Sequence, residues 1–179
     1  GLDILVDGFI LLKKKPGFED VKLLITGGHT GDDKKFLKSI HKKISNHNLT
    51  QEVVFQQAFE GDDRLKFFEE VSVLSVPVRI GEAFGIYLTE AMASGIPVIQ
   101  PSLGAFPEIV KISGGGSVYE KNTPEGLSEA LEKFLINKQD VDQLSQQARK
   151  SIENEFNINK LAGKLVTLYE DVIKNSAYA

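Results

Sequence analysis

At 179 residues, 41% apolar and 26% charged, the chain is long enough to bury the core of one domain without disulfides or a structural metal. A formal net charge of -4 gives no general basic face for nucleic acid, and no apolar run approaches the roughly 18 residues that read as a membrane span. Cysteine is absent, which excludes thiolate zinc sites and cysteine nucleophiles and leaves a cytoplasmic setting open. The opening GLDILVDGFILLKKK places its charge after the apolar stretch, the reverse of a secretory signal.

Leu2, Leu5, Val6, Phe9 and Leu12 recur at helical spacing, and Lys13 to Lys15 followed by Pro16 and Gly17 close that helix as a solvated end. VKLLIT, ended by Gly27 and Gly28, predicts a buried strand, and Phe36, Leu37, Ile40 and Ile44 predict an amphipathic helix. VVFQ is strand-like, DDRLKFFEEV is a short helix opened by Asp62 or Asp63, and SVLSVPV is strand-like up to Pro77. FGIYLTEAMASG predicts a helix ended by Gly95, IPVIQP a strand, AFPEIV a short helix and GSVYE a last strand after a glycine turn at 114–116. Three further helices are opened by Pro124, by Asp140 or Asp142, and by Asn157 or Asn159. This alternation specifies a single α/β domain over 1–179, a Rossmann-like, mostly parallel sheet with helices on both faces and ligands at the carboxyl ends of the strands.

The run GEAFGIYLTEAMASGIPVIQP holds Glu82 and Glu90 among small and apolar residues. A helix starting near Phe84 or Gly85 would turn its unpaired amides to the ligand side, where an anion such as phosphate can sit. Glu90 lies five residues on from Gly85, about 7.5 Å along a helix rising 1.5 Å per residue, too deep for a cap. It is placed to accept hydrogen bonds from a diol such as a ribose, with Glu82 on the far side of the phosphate. The competing reading is two solvated glutamates; against it, the apolar neighbours Phe84, Ile86, Leu88, Ala91 and Met92 predict a largely buried helix, where an unpaired carboxylate is costly.

PVRIGEAFGIYLTEAMASGIPVIQPSLGAFPEIV resembles the signature of the retaining glycosyltransferases of family 4: two glutamates separated by seven residues, EAMA, a G-x-PVI strand and a G-x-PE turn. GLDILVDGF is similar to the first helix of that family's donor-binding domain, LLITGG to its second strand and FNINKLAGKLVTLYEDV to its closing helix, so nearly the whole chain is covered. The resemblance implies one half of a GT-B architecture, in which a nucleotide-activated sugar lies between two Rossmann-like domains and is transferred with retention, with no obligatory metal or other cofactor. It implies Glu82 near the reacting centre, Glu90 on the ribose hydroxyls, amides around Phe84, Gly85, Ile86 and Tyr87 on sugar and diphosphate, and Gly28 and Phe59 around the nucleotide. Gln57 stands where the family usually has glycine. Glu108 matches the G-x-PE glutamate, a turn-stabilising or ligand-contacting position, and Gly104 makes that turn.

In the family a central strand ending in Gly-Arg, and a lysine just before the glycine that is Gly1 here, supply cations for the leaving diphosphate. Without them a gap with unpaired backbone groups is expected between VKLLIT and SVLSVPV, and the isolated chain is expected to bind donor poorly and to be inactive alone. The implied partners are the nucleotide-sugar and an acceptor-binding N-terminal domain; nucleic acid is not among them, and peripheral membrane association of a longer enzyme stays open. A nucleotide-sugar epimerase and a noncatalytic nucleotide-sugar-binding module are the alternatives. His29, near Asp32 and Asp33, reads as part of a polar loop, and Arg79 either reaches the cleft or pairs with a carboxylate.

Overall fold

Apolar side chains at helical or strand spacing carry twelve predicted elements that are present, in the same order, among the described residues; a 3₁₀ turn joins them. In chain order these are α1 (Leu2–Lys13), β1 (Leu23–Thr26), a 3₁₀ turn (Gly31–Asp33), α2 (Lys34–Asn46), β2 (Val53–Gln56), α3 (Asp62–Glu70), α4 (Ile86–Ala93), β3 (Val98–Pro101), α5 (Phe106–Ser113), β4 (Gly116–Tyr119), α6 (Pro124–Ile136), α7 (Lys138–Glu155) and α8 (Ile158–Ser176). The computed structural model describes residues 1–56 and 62–176.

β1 pairs with β2 and β3 with β4, both parallel, with Leu24 opposite Val54 and Ile99 opposite Ser117. Adjacent residues of a strand point to opposite faces. Val98 accordingly joins Leu88, Met92 and Phe106, from α4 and α5, while Ile99 joins Ile4, Leu12, Leu127 and Leu131, from α1 and α6. Helices therefore cover both faces. The other side of α1, through Val6, Phe9 and Ile10, packs with Ile25, Ile40, Ile44 and Val53. Gly8 lets α1 approach α6 closely, since a Cβ there would lie 2.9 Å from Leu127 Cδ2.

The expected strand SVLSVPV is reduced to a single parallel bridge, Leu74 opposite Val98. Leu74 N donates to Pro97 O at 3.0 Å and Ile99 N donates to Leu74 O at 2.9 Å. The next rung of a parallel ladder would require an N–H from residue 101, which is proline and has none. Gln100, fully buried, substitutes with its side chain: Val76 N donates to its Oε1 at 3.0 Å, and its Nε2 donates to Leu74 O at 3.4 Å. Val78 N then turns back to Val76 O at 2.8 Å, and Asn122 Nδ2 holds Val78 O at 2.7 Å. The segment leaves the sheet at Pro77.

Between β1 and Leu74–Val78 lies a cavity of about 500 Å³. Leu24 and Thr26 line one side, Leu74 and Val76 the other, with Leu2 and Leu5 of α1 and Phe67 and Phe68 of α3 completing it. The hydroxyls of Thr26 and Ser75 are buried without a hydrogen-bond partner among the described residues. The sheet is split where the gap was expected. Lys13 and Lys15 are tied down rather than merely solvated: Lys13 Nζ reaches Glu19 O and Val21 O, and Lys15 pairs with Glu132 on α6. α8 displays Leu161, Leu165, Leu168, Tyr169 and Val172 to solvent.

Candidate active site

The loop after Pro77 leads through Arg79 to Glu82 and then to α4. Arg79 is not aimed into the cleft; its guanidinium pairs with Asp3 in the first turn of α1. Burial pulls the Asp3 carboxyl up, but the Arg79 hydrogen bond and charge outweigh it and hold the carboxyl below its ordinary range.

Gly85 sits before α4 with φ of 82°, a left-handed conformation that glycine adopts without a Cβ penalty. A Cβ there would also lie 3.0 Å from Phe106 Cε1 and 3.2 Å from Leu88 Cδ1. α4 begins at Ile86, and Leu88 N is the first amide to bond back, to Gly85 O at 2.9 Å. The amides of Ile86 and Tyr87 precede that bond and have no intrahelical acceptor. They form the positive end of the α4 dipole, which favours negative charge.

Glu82 flanks this end. Its backbone is fixed by the turn before α5: Ala105 N donates to Glu82 O at 3.0 Å. Gly104, with φ of 55°, lies so close that a Cβ would fall 2.3 Å from Glu82 O. The glycine read as a turn former thus also seats Glu82. The Tyr87 hydroxyl donates to Glu82 Oε2 at 3.2 Å. The Tyr87 ring stands edge-to-face on Phe106, centroids 6.4 Å apart, and lines the large cavity. Burial, then the charge and hydrogen bond of Glu82, push the Tyr87 hydroxyl well above the usual phenol range, so it stays protonated.

Glu90 is four residues into α4, half-buried, and paired: Arg64 Nη1 of α3 donates to its Oε1 at 2.8 Å. The expectation of a largely buried helix is corrected on this face. Leu88, Ala91 and Met92 are buried, but Phe84 is 42% and Ile86 65% exposed, because only one face of α4 meets the core. Glu90 is therefore relieved by solvent and by Arg64 rather than held unpaired in an apolar site.

Gly28 lies on the cavity wall beside His29, and a Cβ added to it would meet nothing within 4 Å. Phe59 lies outside the described residues. Glu108 is exposed in the first turn of α5, where a carboxylate suits the helix dipole. The sequence reading missed Arg64, which approaches Glu90 from 26 positions away and leaves no local signal. It also missed the Tyr87 side chain, having used only that residue's amide, although an aromatic hydroxyl five positions after a glutamate across a glycine turn was the available clue. Among the described residues no group of three or more His, Asp or Glu converges in the manner of a metal site.

Parallel strands alternating with helices, and a helix start whose Tyr87 lines a cavity reaching Gly27 and Gly28 after β1, are features of a Rossmann-like α/β domain. The sequence model of the family "Glycosyl transferases group 1" matches residues 1–151, and the chain belongs to that family. It is 26% identical over 156 residues to N-acetyl-alpha-D-glucosaminyl L-malate synthase of Bacillus anthracis, a match covering 87% of this chain and 39% of that protein. It is 30% identical over 132 residues to phosphatidyl-myo-inositol mannosyltransferase of Mycobacterium leprae, covering 72% of this chain and 33% of that protein. The chain thus spans well under half the length of these curated relatives.

Among solved structures, the C-terminal domain of the glycosyl transferase group 1 family protein LpcC from Francisella tularensis superposes with a TM-score of 0.78 at 21% identity, covering 88% of this chain and 80% of that one. Anabaena Alr3699/HepE in complex with UDP gives 0.83 at 18% identity, covering 96% and 45%. HepE is also described in complex with UDP-glucose. The fold expected from the sequence is the fold these proteins share.

Proposed function

We propose that this chain is the donor-binding half of a retaining glycosyltransferase, transferring a sugar from a nucleotide-activated donor to an acceptor hydroxyl. The observation that carries the reading is the α4 start: amides of Ile86 and Tyr87 after left-handed Gly85, with Glu82 bonded to the Tyr87 hydroxyl and Glu90 four residues into the helix. In this reading the amides hold the diphosphate, Glu90 accepts from the ribose hydroxyls, and Glu82 meets the sugar near the anomeric carbon. Gly28 leaves room for the nucleotide. The bond to the leaving diphosphate breaks as the bond to the acceptor oxygen forms on the same face, and no obligatory metal takes part. The UDP-glucose complex of HepE supports a nucleotide-sugar as the ligand class.

Catalysis here is positioning and charge stabilisation. The acceptor side belongs to an N-terminal lobe, for which the exposed apolar stripe of α8 offers a packing face. In this reading the chain by itself, with the cavity between β1 and Leu74–Val76 open, is inactive in transfer. The test is sugar transfer by a two-lobed protein carrying this chain. Glu90→Ala raises the donor KM about tenfold or more with kcat nearly kept, while Glu82→Ala lowers kcat by about a hundredfold with KM nearly kept. Equal and negligible effects from both substitutions overturn the assignment.

A further inference from the structure

Resting on that donor-site reading, we propose that the Tyr87 hydroxyl is the positioning group for Glu82, fixing its carboxylate so that one oxygen stays free for the transferred sugar. Glu82 is already immobilised at its backbone, by Ala105 N on its carbonyl and by the close approach of Gly104. What remains free is the side chain, whose torsions carry most of the rotamer entropy a glutamate loses on ordering. The only side-chain group bonded to that carboxylate among the described residues is the Tyr87 hydroxyl, 3.2 Å from Oε2.

Tyr87 is itself held. Its ring packs edge-to-face on fully buried Phe106, and Gly85 leaves room beside Phe106 and the Glu82 side chain by lacking a Cβ. α4 and the turn before α5 therefore deliver donor and acceptor to one point from two rigid elements. The phenol has one proton to donate and uses it on Oε2, which leaves Oε1 as an acceptor for a sugar hydroxyl. Burial and the neighbouring carboxylate keep that proton in place, so Tyr87 acts as a fixed donor and not as a base. The same ring lines the cavity that Gly28 and His29 also line.

Two measurements test this. The first is a double-mutant cycle on urea stability with Tyr87→Phe, Glu82→Ala and the double variant. Tyr87→Phe is expected to destabilise the parent chain and to cost nothing further in the Glu82→Ala background; losses that simply add overturn the contact. The second is saturation-transfer NMR of the chain with UDP-glucose, GDP-mannose and ADP-glucose, which detects weak binding. In Tyr87→Phe the saturation reaching hexose protons falls about two- to tenfold relative to the base protons, the range a single hydrogen bond supplies. An unchanged hexose-to-base ratio overturns the role of Tyr87 and leaves the donor site standing. Saturation of none of the three ligands by the parent chain overturns the donor-site reading, and the positioning role with it.

Discussion

Two glycines on the ligand side do opposite things. Gly85 is demanded by the chain itself, through a positive φ and the proximity of Phe106 and Leu88. Gly28 is demanded by nothing within the chain, because the space beside it is open. Gly85→Ala is therefore expected to lower unfolding stability by about 1–3 kcal/mol, the cost of forcing a side chain into that backbone region. Gly28→Ala is expected to stay within about 0.5 kcal/mol of the parent, as surface changes usually do. Urea unfolding of the two variants checks both, and a Gly28 loss equal to that of Gly85 would contradict the distinction. At this scale the sequence was a poor guide to surroundings. Glu82, Gly85 and Glu90 were singled out by their apolar context and by the family resemblance, but Arg64 meets Glu90 from 26 positions away, which no local pattern encodes.

At the scale of elements, helices and short strands were legible because their apolar periodicity is strong, and α1, α2, β1 and β2 fall where that periodicity places them. SVLSVPV failed as a strand for a reason visible only in the pairing. Its apolar content suits a central strand, yet one neighbour is a cavity and the other contains Pro101 at the position that must donate. Gln100 compensates by turning its amide onto the backbone of Leu74 and Val76. Replacing Gln100 with Leu is expected to cost about 1–3 kcal/mol, since a part-buried donor at Val76 loses its acceptor. Amide exchange locates the effect: Val76 exchanges faster in Gln100→Leu, while Leu74, which donates to Pro97, keeps its protection. Equal loss of protection at both amides would mean that Gln100 supports the core in general and not this one rung.

The described residues form two pairs of parallel strands held together by helices, with α1 shared between two of the three apolar cores among them and a cavity along the seam. The sequence reading located that seam from what the family resemblance left unfilled. It did not anticipate that the segment beside the seam would peel away toward Asn122, because that path is set by single side-chain bonds rather than by pattern. On the ligand side Glu82 is tied to Tyr87 and to the turn before α5, and Gly28 lies on the wall of the cavity that Tyr87 also lines. The most direct test is a two-dimensional amide NMR titration of the chain with UDP-glucose, GDP-mannose and ADP-glucose. The account predicts that at least one of these shifts the amides of Gly28, Gly85, Ile86 and Tyr87 together, at millimolar concentration. Shifts confined to a separate cavity lined by Ser117, Lys121 and Lys133, or no shifts with any of the three, would contradict it.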